Sequence, residues 1–174
     1  MQLNGANIVV LAEELYEDME LWYPYYRLLE EGASVTLVGP KADDYASKHG
    51  YVATTTKSAA EVDSSEVHAV IVPGGYAPDK LRRYTPVLDL VREVYEGGGV
   101  VAFICHAAWV PISAGIVAGR RATCVSAIKD DLENAGATYV DAPVVVDERL
   151  VSSRTPDDLP QYLPAIISEV AKLL

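Results

Sequence analysis

Cysteine, histidine and carboxylate side chains can attack a carbon, take a proton or carry one near neutral pH. In this chain they gather at few places. The stretch VVAFICHAAW (100–109) puts Cys105 directly before His106. Cys105 comes where the apolar run VVAFI ends and a helical stretch begins, so its side chain projects from a sharp strand-to-helix turn. That position, near the N-terminal end of a helix dipole, predicts a lowered thiol pKa and an available thiolate. In the G-x-S-x-G nucleophile elbow the residues two before and two after the nucleophile are small. Ala107 meets that condition and Phe103 does not. Free cysteine is also among the most buried residue types, so position alone leaves nucleophile and core filler both open. Cys124, following RRAT in an ordinary strand, reads as structural.

A thiol nucleophile needs a base and a proton carrier. The histidines are His49, His68 and His106, and none beyond the immediate neighbour follows Cys105. This excludes the glutamine-amidotransferase arrangement, which places a histidine and an acid far downstream of its cysteine. If His106 acts as a base, a carboxylate from another loop or another subunit must orient it; otherwise it is a cap or a core contact. His49 and His68 read as bystanders. The acidic stretch EELYEDMEL places Glu17 and Glu20 three apart, on one helical face, and either can face the thiol. A carboxylate beside a thiolate tends to keep its proton and so becomes a donor and general acid; a solvated acidic helix start is the alternative. PGG (73–75) ends another strand in a sharp turn. The N–H groups of Gly75 and His106 can there form an oxyanion hole.

These residues have to be positioned by strands and helices. The apolar runs ANIVVLA (6–12), SVTLVG (34–39), VHAVIVPGG (67–75) and VVAFI (100–104) read as buried strands, and VATTT (52–56) as an exposed or edge strand. KADDYASKHG reads as loop. Met19, Trp22, Tyr25, Tyr26 and Leu29 recur at helical spacing up to Glu31, with Gly32 as the stop. Pro24 makes that helix start late or kink. One or two helices fit 77–96, the second beginning near Pro86 and ending at Gly97. Another runs from Cys105 to about Gly115, one lies near 127–134, a hairpin-like pair surrounds Asp147 and Glu148, and a last amphipathic helix runs over 156–173. Strand and helix alternating through short loops predicts an α/β sandwich, a mainly parallel sheet covered on both faces. Ligands in such folds sit beyond the carboxyl ends of the strands.

At 174 residues and without repeats or linkers, the chain is the size of one domain, 1–174. A net charge of −11 repels phosphate backbones and anionic membranes, so nucleic acid is not an expected partner. No apolar run reaches the roughly 18 residues of a membrane span, and the opening residues do not resemble a signal peptide. The expectation is a cytoplasmic protein whose two cysteines are free thiols. Trp22, Tyr23, Tyr25 and Tyr26 cover more of the first helix than one buried face requires. This predicts a homo-oligomer, a dimer or a hexamer built from dimers.

Taken in order, LYEDMELWYPYYRLLEEGASVTLVG, AVIVPGGYAPDKLR, VVAFICHAAWVPISAGIVAGR, IKDDLENAGA and VVVDERLVSSRTPDDLP resemble the ThiJ/PfpI family over nearly the whole chain. The resemblance implies a flavodoxin-like three-layer α/β sandwich, an elbow nucleophile at Cys105 and an acid on the first helix that hydrogen-bonds it. The family's E-D-x-E-L motif places that acid at Glu20, with Glu17 as its companion. In the family's peptidases a glutamate from a neighbouring subunit completes a triad with cysteine and histidine; the matching position is Asp79, one methylene shorter. Two further departures are Ala107-Ala108-Trp109 after the Cys-His pair, where the family often has Gly-Pro, and Val125, where relatives usually carry tyrosine. Trp109 is read either as a pocket wall that favours small substrates or as a helix residue packed on the core.

The leading expectation is a glyoxalase or deglycase-type enzyme acting on small aldehydes and dicarbonyls or their adducts, with no metal and no cofactor. The alternatives are an oligomeric cysteine peptidase acting on peptides and a non-enzymatic redox sensor or stress-protective protein acting through oxidation of Cys105.

Overall fold

The computed structural model describes residues 1–174. The chain runs through β1 (Asn7–Leu11), α1 (Asp18–Glu30), β2 (Ser34–Gly39), β3 (Asp44–Ala46), β4 (Val52–Thr54), β5 (Lys57–Ser58) and β6 (Ala69–Val72). It continues through α2 (Ala77–Leu81), α3 (Thr85–Glu96), β7 (Val100–Ile104), α4 (Trp109–Ala114), β8 (Arg121–Ala122), α5 (Lys129–Asn134) and β9 (Thr138–Tyr139). The hairpin β10 (Val144–Asp147) and β11 (Leu150–Ser153) then leads to α6 (Leu159–Ala171). Short 3-10 turns precede α4, α5 and α6.

Seven strands form the central sheet in the order β10-β11-β7-β6-β1-β2-β5. All neighbours are parallel except the hairpin pair β10 and β11. The continuous apolar runs are explained by burial on both faces: all of β6 and β7 is buried, and β1 from Ile8 onward. α1 and α6 pack together over one face, while α2, α3 and α4 pack together over the other. α3 contributes Val87, Leu90, Val91 and Val94, and α6 contributes Leu159, Leu163, Ile166, Ile167 and Val170. Each such side chain contributes about 1.5–3 kcal/mol by leaving water, so the sheet is held from both sides.

The structure corrects three local expectations. The helix α1 starts at Asp18 and continues through the buried Pro24 rather than starting late. Proline removes a backbone donor, so the carbonyl of Glu20, four residues earlier, loses its helical partner. The stretch expected as loop after Gly39 contains β3, which pairs antiparallel with β4 in a ribbon outside the main sheet. The edge of the main sheet beside β2 is instead the two-residue β5. Runs as short as DYA and VAT are too brief for their alternation to stand out.

Candidate active site

After β1 the chain crosses outward to β2, and it returns to β6 on the other side of β1. The strand order therefore reverses between β1 and β6, where such sheets open a crevice beyond the strand ends. Three segments meet at this crevice: the turn from β1 into α1, carrying Glu17 and Glu20; Gly74 and Gly75 after β6; and Cys105 after β7. Tyr16 and Gly75 form an isolated antiparallel bridge, and the Glu17 N–H donates to the Gly74 carbonyl at 3.2 Å. Residues distant in sequence are thereby fixed by backbone.

Cys105 has φ 62°, in the left-handed region. For a residue with a Cβ that conformation costs about 1–2 kcal/mol. The elbow is held by burial of β7 and by the Val125 N–H, which donates to the Cys105 carbonyl at 3.4 Å. Gly74 makes room for it: a Cβ there would lie 2.5 Å from Glu20 Oε2 and 2.9 Å from Cys105 Cβ. The Cys105 sulfur is 3.3 Å from His106 Nδ1, and the backbone N–H groups of His106 and Gly75 donate toward it.

The expected lowering of the thiol pKa is overturned. Burial, then the Glu20 charge, push Cys105 up to about 12, outweighing the two N–H donors and the Lys48 charge. The dipole argument fails because the elbow opens into a four-residue 3-10 turn and the six-residue α4, leaving the thiol partly covered. His106 is pushed the other way, below its ordinary value, by burial and then by Lys48. Its imidazole is therefore neutral at neutral pH and able to take a proton.

Glu20 is fully buried. Its Oε2 accepts the Gly74 N–H at 2.7 Å, whereas its Oε1 has no partner. Burial raises the carboxyl to about 8, against the lowering effect of the Gly74 N–H; the Glu17 charge adds to the rise, and Lys48 and a hydrogen bond with Cys105 oppose it. Glu20 thus holds its proton at neutral pH beside the sulfur. Glu17 is less intimate with the thiol: its Oε2 is 2.8 Å from Lys48 Nζ.

Lys48 was not singled out in the sequence because it sits in the supposed loop. The ribbon β3–β4 carries it to the site. The Leu15 N–H donates to the Ala46 carbonyl, the Lys48 N–H to the Tyr16 carbonyl, and the Tyr16 hydroxyl to the Tyr51 carbonyl at 2.6 Å. Ser47 Oγ donates to Asp18 at 2.6 Å. The Lys48 charge acts on Cys105, Glu20 and His106 alike. Only the clustering of Asp43, Asp44, Lys48 and His49 hinted at this stretch.

The remaining candidates fall around or away from this centre. Asp79 lies on α2, paired with Arg83, and makes no bond to His106 within the chain. Trp109 is half-buried: its ring is 5.4 Å from the His106 ring, its Nε1 donates to Asp131 at 2.8 Å, and Arg82 lies 5.6 Å above it. It packs on the core and borders His106 at once. Cys124 is buried and free. His68 Nδ1 accepts the Asn7 N–H at 3.1 Å, and His49 is paired with Asp18. Glu17, Asp18 and His49 present ligand atoms within 4.8 Å of one another, but Lys48 and Ser47 already engage the two acids. No helix is long and apolar enough to cross a membrane.

This arrangement of strand ends, glycine turn and elbow cysteine agrees with a family-level match. The model of the DJ-1/PfpI family matches residues 6–169. The chain belongs to the DJ-1/PfpI family. A Pyrococcus abyssi relative of this DJ-1/PfpI chain, named a deglycase, is 41% identical over 167 residues, covering 96% of this chain and 98% of the relative. The Escherichia coli (strain K12) protein named Protein/nucleic acid deglycase 2 is 38% identical over 161 residues, 91% of this chain and 94% of that one. A solved two-domain protein from Anabaena variabilis, with DJ-1/ThiJ/PfpI-like and ferritin-like domains, superposes at a TM-score of 0.93. It is 36% identical, and the match covers 95% of this chain and 48% of that chain.

Proposed function

We propose that this chain is a cysteine-dependent, cofactor-independent enzyme of the glyoxalase or deglycase type, acting on small dicarbonyls such as methylglyoxal and glyoxal or on their early adducts. The observation that carries this reading is the fully buried Glu20 carboxyl beside the Cys105 sulfur, with the His106 and Gly75 N–H groups converging on the same sulfur. Relatives named deglycases, at 41% and 38% identity over most of the chain, support it.

For methylglyoxal the steps balance without an external oxidant. The thiol proton passes to the neutral His106 Nδ1 as sulfur attacks the aldehyde carbon, and the new alkoxide is held by the two N–H groups. Glu20 protonates that oxygen, and its carboxylate then removes the hydrogen from the same carbon and returns it to the neighbouring carbonyl carbon, while the hydroxyl proton passes to the neighbouring oxygen. One carbon is oxidised and the next reduced, leaving a thioester. Water cleaves it to lactic acid, giving a proton back to Glu20 as it adds, and His106 returns its proton to the departing thiolate, so the overall change is addition of one water. For an early adduct on an amine, the same attack at the adduct carbon releases the amine.

The peptidase reading needs an acid that orients His106 from another subunit. Asp79 is paired with Arg83, just beyond the end of α2, and is one methylene shorter than glutamate, which weighs against that role. The exposed Met19, Tyr23 and Tyr26, with Tyr51 beside them, form an aromatic face fit for a homo-oligomer contact. Trp22 packs beneath it against Tyr26 and Tyr51, at 5.8 and 5.2 Å.

The test is lactate production from methylglyoxal by wild type, Cys105→Ala, Glu20→Ala and Asp79→Ala. The expected result is loss in the first two variants and retention in the third. Lactate formed at the wild-type rate by Cys105→Ala overturns the proposal.

A further inference from the structure

A histidine that takes a proton from a neighbouring thiol needs something to hold its ring, and in a triad a carboxylate bonded to the far nitrogen does so. The His106 ring bonds only the Cys105 sulfur, from Nδ1 at 3.3 Å. Its other contact is aromatic. Cys105–Ala108 form a 3-10 turn, in which side chains three apart eclipse one another, so the turn sets Trp109 against His106. The two rings lie 5.4 Å apart at 57°, a tilted arrangement that brings the edge of one toward the face of the other. The indole is in turn held from two further elements. Its Nε1 donates to Asp131 on α5 at 2.8 Å, and the Arg82 guanidinium, at the end of α2, lies 5.6 Å from the ring centre. Arg82 is itself tied to α4, where its Nε donates to Ser113 Oγ at 2.9 Å.

We infer that Trp109 is a positioning residue for His106: clamped by Asp131 and Arg82, its indole holds the imidazole with Nδ1 on the Cys105 sulfur, where a triad would use a carboxylate. The clamp draws on α2, α4 and α5, so the ring is fixed by tertiary structure as well as by its own turn. Asp131 is an anchor and not the acid of a triad, because the indole stands between it and the imidazole. Asp131 is also exposed, so replacing it leaves the core intact.

The purpose of the clamp rests on the glyoxalase-type reading, but its test needs no substrate. The measurement is the titration midpoint of the His106 ring resonances, followed by NMR and assigned by their loss in His106→Gln. The charged groups around this imidazole are Lys48 from the ribbon, Glu20 beside the sulfur, Asp79 on α2 in its pair with Arg83, and Asp131 and Arg82 behind the indole. In the intact protein burial holds the midpoint below the ordinary 6.5. Asp131→Ala frees the indole, exposes the imidazole and is expected to move the midpoint up toward 6.5. Loss of a negative charge alone would move it down, so the sign separates anchoring from electrostatics. Asp131→Asn keeps an oxygen acceptor for the indole N–H and is expected to keep the wild-type midpoint. Trp109→Ala is expected to give the same upward shift as Asp131→Ala, and the two changes together no more than either alone. An unmoved or lowered midpoint in Asp131→Ala, or equal shifts in Asp131→Ala and Asp131→Asn, overturns the inference. If the expected shifts are found while wild type forms no lactate from methylglyoxal, the proposed reaction falls and the clamp stands.

Discussion

The sulfur of Cys105 lies 3.3 Å from Nδ1 of its own chain neighbour, His106. Adjacent residues rarely bring their side-chain tips together on a regular strand, where successive side chains point to opposite faces. Here the left-handed φ of Cys105 turns the thiol back toward the imidazole. His106 thus offers its backbone N–H and its ring to the same sulfur. Substituting His106 by Ala separates the two: the N–H donor stays and the ring acceptor goes. The expected outcome is a fall in kcat of about 10²-fold for methylglyoxal with little change in KM, read from steady-state kinetics.

The Glu20 carboxyl has a sign that can be tested by stability. Its value rises from an ordinary 4.5 to about 8 in the folded chain. Between those two values the unfolded chain has lost a proton that the folded chain keeps, so stability is full at low pH and falls as pH rises through this window. The loss is on the order of 5 kcal/mol. Glu20→Gln, neutral at every pH, should flatten this part of the curve and be the more stable protein at pH about 8.5. Urea melts at several pH values check it.

Gly74→Ala should damage the site without replacing a reactive group. The added Cβ would lie 2.5 Å from Glu20 Oε2 and 3.0 Å from the Ile104 carbonyl. Overpacking of this kind costs about 1–3 kcal/mol. Thermal melting should show that loss, and lactate formation should fall together with it.

Cys105→Gly and Cys105→Ala both remove the thiol and differ in backbone strain. At φ 62° glycine is unstrained and alanine is not. The glycine variant should be the more stable of the two by about 1 kcal/mol, measured by chemical denaturation. Equal stabilities would show that the elbow carries no strain.

Lys48 and Glu17 should act on the site with opposite signs. Lys48 lowers both Glu20 and Cys105, while Glu17 raises Glu20. Lys48→Met should slow alkylation of Cys105 at pH about 9 by roughly threefold. Glu17→Gln should move the Glu20 midpoint downward.

The parts of this site that follow from local rules were legible in the sequence. A run such as VVAFI specifies a buried strand, and PGG specifies a chain reversal at the neighbouring strand end. The placement of Glu20 followed from its helical spacing relative to Glu17 together with the family resemblance. The sign of the thiol shift was not legible, because it depends on how far three segments close over the sulfur, a tertiary quantity. Lys48 was missed for a related reason: it lies between the two three-residue strands of a ribbon, too short for their alternation to stand out. Pro24 misled because its breaking tendency is local, whereas the burial that holds α1 together comes from the sheet and α6.

The ribbon that brings Lys48 to the crevice is not a member of the central sheet, and it joins the remainder largely through backbone hydrogen bonds near Leu15 and Tyr16 and side chains such as Ser47. Backbone contacts tolerate a change of side chain. The sign of the charge beside the site can therefore be altered by replacement at Lys48, whose backbone N–H makes the link, while Cys105, Gly74 and Glu20 keep their places. The fold separates the frame that holds the reactive groups from the charge that tunes them, so one scaffold can carry the same groups at a different reactivity.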